Sequence, residues 1–300
     1  MQYGIRRLGW AVMLAIGGLL TSAPGPAVGA EAKDYERLLA EKSPALVTVK
    51  FLLKVSMGGA FAGGGNQESE TEVTGVMMDP KGLVLCSNTQ LGGFAGMMRR
   101  MMGSRGGDIT ATPTDIKVLI GDDTEGVEAK ILGRDSELDL AWIQIDKPAK
   151  EAYAHVDFSK AAKPKVGEAL FTIRRLSKFF DRSTVIEEGR VGGTTSKPRE
   201  LYVPVPANSL QLGLGLPCYV TNGQVIGVAV VQVAETDGSE AGMMAMMSSM
   251  QDTMSGFLLP AETVLKATAR AKGAADENEN EGEEKTLEDE KGEDDEDEEK

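Results

Sequence analysis

The feature that most constrains this chain is its punctuation. Apolar, β-branched-rich runs of four to ten residues recur along it, separated by Gly, Pro, Asn or Asp. They lie at Leu46–Leu53, Thr74–Met78, Leu83–Cys86, Ile116–Ile120, Val127–Leu132 and Leu140–Ile145. A second set lies at Ala169–Ile173, Leu201–Val205, Gln224–Val233 and Gly256–Leu259. Long amphipathic helices do not alternate with these runs, so a parallel α/β sheet is excluded and an all-β sandwich or barrel is predicted. Helical spacing occurs only near the two ends. Tyr35, Leu38 and Leu39 give Glu31–Ser43 one apolar face, and Ala261–Ala271 reads as a closing helix stopped by Gly273.

Charge separates the ends from the body. The formal net charge is −14 over 300 residues. Residues 276–300 hold sixteen Asp and Glu against Lys285, Lys291 and Lys300, a local charge of −13. With that tail and the +2 of Arg6 and Arg7 set aside, residues 31–275 carry −3. Such a body lacks the basic surface of a nucleic-acid binder, and no nucleic acid is expected as a partner. Leu287 is the tail's one large apolar residue, so residues 274–300 are expected to be a disordered acidic tail, with a basic partner as its candidate ligand.

The first thirty residues read as a secretory signal. Arg6 and Arg7 precede the thirteen-residue apolar run Leu8–Leu20, and Val28-Gly29-Ala30 supplies the small residues of a cleavage site before Glu31. The run is shorter than the roughly 20 residues of a membrane span and is followed by Pro24 and Pro26. The expectation is export, to a periplasmic or extracellular location, with no stable membrane span after cleavage. A single imidazole, His155, rules out multi-histidine metal sites.

The order of local patterns carries a resemblance. Residues 74–89, TGVMMDPKGLVLCSNT, resemble the strand–turn–strand that delivers the catalytic histidine in trypsin-like serine proteases of the HtrA/Deg type. Residues 127–146, VEAKILGRDSELDLAWIQID, resemble the stretch that delivers the aspartate. KVGEALFTI at 165–173, Pro217 followed by GQVIGV at 223–228, and GFLLP at 256–260 match later landmarks in the same order. The resemblance implies a chymotrypsin/trypsin-like double β-barrel with short N- and C-terminal helices. Residues 31–273 would form that trypsin-like unit, with barrel one near 44–147 and barrel two near 165–260. HtrA-type proteases usually continue into a PDZ domain, and none is expected here.

Mapped position by position, the resemblance places Thr89 where the family has histidine, Asp139 at the aspartate and Leu214 at the serine. A serine protease needs a hydroxyl, an imidazole to take its proton and a carboxylate to orient the imidazole. Thr89 has no basic nitrogen and Leu214 no hydroxyl. Leu212 and Leu216 also replace glycines of the nucleophile turn that builds the oxyanion hole. Losing the serine or the histidine of such a triad lowers kcat by about 10⁶. The expectation is an exported pseudoprotease that holds a peptide or protein partner in the inter-barrel cleft, with no cofactor. One alternative is a serine endopeptidase using Ser209, which follows Asn208 as the family nucleophile does.

Two further features are assigned through the same layout. Cys86 and Cys218 would both approach the seam between the barrels, which makes them a disulfide candidate, with two separate buried thiols as the other reading. Methionines cluster at Gly92–Gly107 (Met97, Met98, Met101, Met102) and at Glu240–Ser255 (including Met243, Met244, Met246 and Met247). Both segments would rim the cleft, where flexible, polarizable thioethers suit adaptable binding. Met97, Met98, Met101 and Met102 would also suit Cu(I), a further alternative, and plain packing of two apolar loops is the third. His155 reads as a surface residue between the barrels.

Overall fold

The shortest strands are apolar on both faces, and a strand with no polar face needs an apolar layer on each side. Leu83–Ser87 is buried at every position, and so is Val225–Val230. In the computed structural model, which describes residues 30–57, 66–96, 109–206, 213–232, 256–275 and 277, two barrels supply those layers.

The first barrel closes in the order β1-β2-β3-β6-β5-β4. Its strands are β1 Leu46–Met57, β2 Asn66–Met77, β3 Leu83–Ser87, β4 Ile109–Ile120, β5 Val127–Asp135 and β6 Leu140–Ile145. The second closes in the order β10-β11-β12-β9-β8-β7. Its strands are β7 Ala169–Arg175, β8 Thr184–Thr195, β9 Leu201–Val205, β10 Pro217–Val220, β11 Val225–Val230 and β12 Phe257–Pro260. Every pairing is antiparallel, and closure leaves neither sheet with a free edge. This is the chymotrypsin/trypsin-like double barrel.

Alternation along the strands sorts side chains between three cores. Val84 and Cys86 of β3, with Ala141 and Ile143 of β6, fill barrel one. Leu85, Leu140 and Trp142, one residue out of phase, face the seam and meet Phe171, Leu216, Tyr219 and Val228 of barrel two. Barrel two has its own smaller interior around Leu170, Cys218, Ile226 and Leu258.

Each terminal helix crosses to the other barrel. Helix α1, Ala32–Lys42, precedes barrel one yet packs on barrel two, where Tyr35 meets Phe171 edge-on at 5.3 Å and Arg37 donates to the Thr221 carbonyl. The closing helix α2, residues 261–275, follows barrel two yet packs on barrel one. Trp142 Nε1 donates to Thr268 Oγ1 at 2.9 Å, and Lys272 pairs with Asp79 at 2.9 Å. No helix among the described residues is long and apolar enough to cross a membrane.

Several segments depart from the sequence expectation, among them α2, which runs through Gly273 to residue 275, and β4, which begins at Ile109 rather than at Ile116. Gln67–Glu72, outside the runs read as strands, is the outer half of β2, paired residue by residue with β1. It has no apolar face because it runs where cross-strand ion pairs replace a core: Lys50–Glu70 at 2.8 Å and Lys54–Glu68 at 3.2 Å. Strands β8 and β10 were not expected at all. Glycines interrupt the pattern of β8, and a Cβ on Gly192 would lie 2.6 Å from Val205 Cγ1, so that side chain would have to shift. Strand β10 is only four residues long and opens on a proline.

Candidate functional site

The seam brings together the end of β3, the turn before β6, the end of β11 and the turn before β10. Asp139 is the centre of this junction. Its turn is set by Asp135, whose Oδ1 accepts from the N–H groups of Glu137 and Leu138 at 3.1 and 2.9 Å. Asp139 itself has φ +58°, a left-handed conformation that aspartate tolerates better than most residues. That geometry turns the carboxylate inward, where the residue is 3% exposed.

Thr89 N–H donates to Asp139 Oδ1 at 2.7 Å, and Val231 N–H to Oδ2 at 3.1 Å. The Ser87 hydroxyl lies 3.1 Å from both oxygens. The Asp139 carbonyl in turn accepts the Asn88 N–H at 3.2 Å. Thr89 and Ser87 belong to barrel one and Val231 to barrel two, so one side chain ties both barrels. Burial pushes the Asp139 carboxyl above the usual aspartate range, while the Val231, Thr89 and Ser87 bonds pull it back.

Gly215 fixes the fourth element. It has φ +80°, and a Cβ there would lie 2.7 Å from the Cys86 carbonyl carbon and closer still to the Ser87 nitrogen. Only glycine allows that approach. Its N–H donates to the Ala229 carbonyl at 2.7 Å, and Ala229 returns a bond to Leu216 at 2.9 Å. The preceding residue, Leu214, is thereby set beside the end of β3, partly buried. The fold thus sets Thr89 against Asp139, and Gly215, the neighbour of Leu214, against the end of β3. Among them only Asp139 carries a titratable group.

The remaining sequence-derived positions fall elsewhere. His155 is exposed in the linker between the barrels, with Nδ1 3.0 Å from the Tyr153 carbonyl. Ser209, Leu212 and the methionines Met97, Met98, Met101, Met102, Met243, Met244, Met246 and Met247 lie outside the described residues. The acidic tail beyond residue 277 and the leader before residue 30 lie outside them as well.

The disulfide candidate is corrected: Cys86 and Cys218 are both free and buried. Cys86 points into barrel one and Cys218 into barrel two, so they sit on opposite sides of the seam rather than in it. Burial pushes both thiols up to about 12. Ser87, Val231 and Gly215 were not singled out from the sequence. Ser87 could have been, because the β3–β6 register pairs it with Leu140 and so sets it beside Asp139.

The two closed six-stranded barrels, with the seam between them, define a trypsin-like protein fold. No protein-family model matches the sequence, and no curated protein matches it. Among solved structures, the crystal structure of Deg5 is similar to this chain at 18% identity and a TM-score of 0.50. The match covers 80% of this chain and 94% of that one. At that identity the likeness establishes the fold alone.

Proposed function

We propose that this chain is an exported, catalytically degenerate relative of HtrA/Deg-type proteases that binds a peptide or protein in its inter-barrel cleft without cleaving it. The observation that carries the reading is the state of Asp139. In a working triad this carboxylate orients an imidazole, which takes the proton of a serine. Here its lone pairs are filled by the Thr89 N–H, the Val231 N–H and the Ser87 hydroxyl. Thr89 offers no base, and Leu214 offers no nucleophile. The fold supports a cleft, and function is argued from the residues in it rather than from the fold. The absence of a basic body surface favours a peptide or protein occupant over nucleic acid.

The test is fluorophosphonate labelling of the purified protein, with casein turnover alongside and Ser209→Ala as control. The expected outcome is neither labelling nor turnover in a folded sample. Partner capture would then be lost when residues 97–102 or 243–247 are deleted. Labelling and turnover that both disappear with Ser209→Ala would overturn the reading and assign Ser209 as nucleophile.

A further inference from the structure

Apolar residues exposed one at a time are ordinary on a protein surface, but contiguous apolar area marks contact sites. The turn between β7 and β8 carries such a pair. Phe179 is 88% exposed and Phe180 57%, and their rings meet edge-on at 5.0 Å. The turn beneath them is tightly built. The Ser177 carbonyl accepts the N–H groups of Phe180 and Arg182 at 2.9 and 3.3 Å, and the Phe180 carbonyl accepts that of Ser183 at 3.1 Å. Arg182 grips Glu72 of β2 through Nε at 2.9 Å and Nη2 at 2.6 Å. A projecting pair on so firm a base loses little freedom when it is covered.

A second bond sets the neighbourhood of this tip. Arg175, the last residue of β7, donates to the Gly121 carbonyl at 2.9 Å and so places the hairpin beside the β4–β5 turn. Lys178 on the tip is exposed; Glu70 feels its charge, but it makes no ion pair among the described residues. Asp122, Asp123 and Glu125 on the neighbouring turn are exposed as well, and none of them makes an ion pair among the described residues. Asp123 fixes that turn by accepting the N–H groups of Glu125 and Gly126 at 3.0 and 3.1 Å. One face therefore carries an aromatic knob with a cation and, adjoining it, three carboxylates.

We propose that this face is self-complementary and that two copies of the chain pair through it about a two-fold axis. The Phe179 and Phe180 rings of both copies form one cluster on the axis, and Lys178 of each copy reaches the Asp122 turn of the other. A two-fold contact requires each surface to hold both halves of every pairing, and the basic tip and the acidic turn lie side by side as that demands. No residue of the cleft takes part, so the pairing stands apart from the pseudoprotease reading.

Two phenylalanines exposed to this extent offer about 220–360 Å² of apolar area per copy. A standard interface covers about 800 Å² per partner. The flanking turns must supply the rest, and the pairing belongs to the weak, reversible class, with a Kd of about 1–100 μM. The net charge of −14 opposes it. Most of that charge follows α2, whose Lys272 is tied to Asp79. Asp79 lies about 20 Å along the chain of β2 from Glu72 at the hairpin. That exceeds the Debye length of about 8 Å in physiological salt, so charge at the root of the tail is screened from the contact.

Sedimentation equilibrium of the purified protein should show monomer and dimer exchanging in that range. Phe179→Ser with Phe180→Ser should weaken association at least about tenfold and leave the urea midpoint unchanged, because both rings already stand in water in the monomer. Lys178→Glu should also weaken it, and adding Asp122→Lys to Lys178→Glu should restore it. Cys86 and Cys218 are buried, with thiols pushed up to about 12, so a nitroxide on Ser177→Cys reports the tip alone. Two such labels should couple across the axis. A protein that stays monomeric at about 300 μM, a dimer indifferent to the phenylalanine substitutions, or labels that do not couple in the dimer would each overturn the contact. A closed assembly of three or more copies overturns the two-fold arrangement. A charge swap that fails to restore association overturns the Lys178–Asp122 pairing.

Discussion

Replacing Asp139 with alanine should loosen the joint between the barrels, and the size of the effect follows from what the carboxylate satisfies. Its removal strands the backbone N–H groups of Thr89 and Val231, which donate at 2.7 and 3.1 Å, and leaves the Ser87 hydroxyl to find another acceptor. A buried donor left without a partner costs about 1–3 kcal/mol. Two such donors would cost about 2–6 kcal/mol, and loss of the buried charge offsets part of this, so we expect about 3 kcal/mol. For a folded body of this size that is a fall in Tm of about 6–12 °C. Asp139→Asn should cost less, because its oxygen still accepts from Thr89 while its NH₂ faces the Val231 N–H. The pH dependence separates the charge from the hydrogen bonds. Burial raises the folded Asp139 pKa above its unfolded value. The folded state therefore binds the extra proton, and wild-type stability falls as pH rises from the ordinary aspartate range, near 3.9, through the raised value. Asp139→Asn lacks that component. Urea unfolding of the three proteins between pH 3.5 and 7 reads both effects. An alanine variant within about 2 °C of wild type would refute the hydrogen-bond accounting, and an identical pH slope in Asp139→Asn would refute the assigned cause.

Three other outcomes are expected. Gly215→Ala forces a Cβ onto the Ser87 nitrogen at a positive φ, so little folded protein should be recovered and its melting transition should be lost or strongly lowered. Cys86 and Cys218 should resist an aromatic disulfide reagent in the native protein and both react in denaturant, because burial holds each thiol up to about 12; native labelling of either would contradict this. Thr268→Val removes the acceptor of the buried Trp142 N–H and should cost about 1–3 kcal/mol, seen as a lower urea midpoint with an unchanged slope.

The legible parts of this fold are those where one residue answers a local demand. Gly82 and Gly223 have positive φ, and each marks a turn that the sequence landmarks contain. The short apolar strands β3, β6 and β11 could be read because both of their faces are buried. Where the demand was not local, the sequence was silent. The outer half of β2 is polar on both faces and becomes a strand only through β1 and its lysines. The cysteine pairing failed for a similar reason. Proximity to the seam in chain order does not say which face a side chain takes, and alternation sends Cys86 and Cys218 into separate barrel interiors. At the site, the Thr89–Asp139 juxtaposition was readable from the order of landmarks. The Val231 bond was not, since it joins residues 92 apart and exists only once the barrels dock.

That last bond bears on what Asp139 does for the fold. A carboxylate that served only to orient a base would need no donors from two barrels. Asp139 has other duties: it occupies a left-handed turn that few residues tolerate, and it accepts donors from both barrels near the end of β3. Substituting it strands those donors whether or not chemistry occurs there. Leu214 carries no such obligation, because the close packing beside it is made by Gly215, whereas Thr89 bonds the carboxylate through both its backbone N–H and its side chain. The physical demands of the seam therefore fall on Asp139 and Thr89 together.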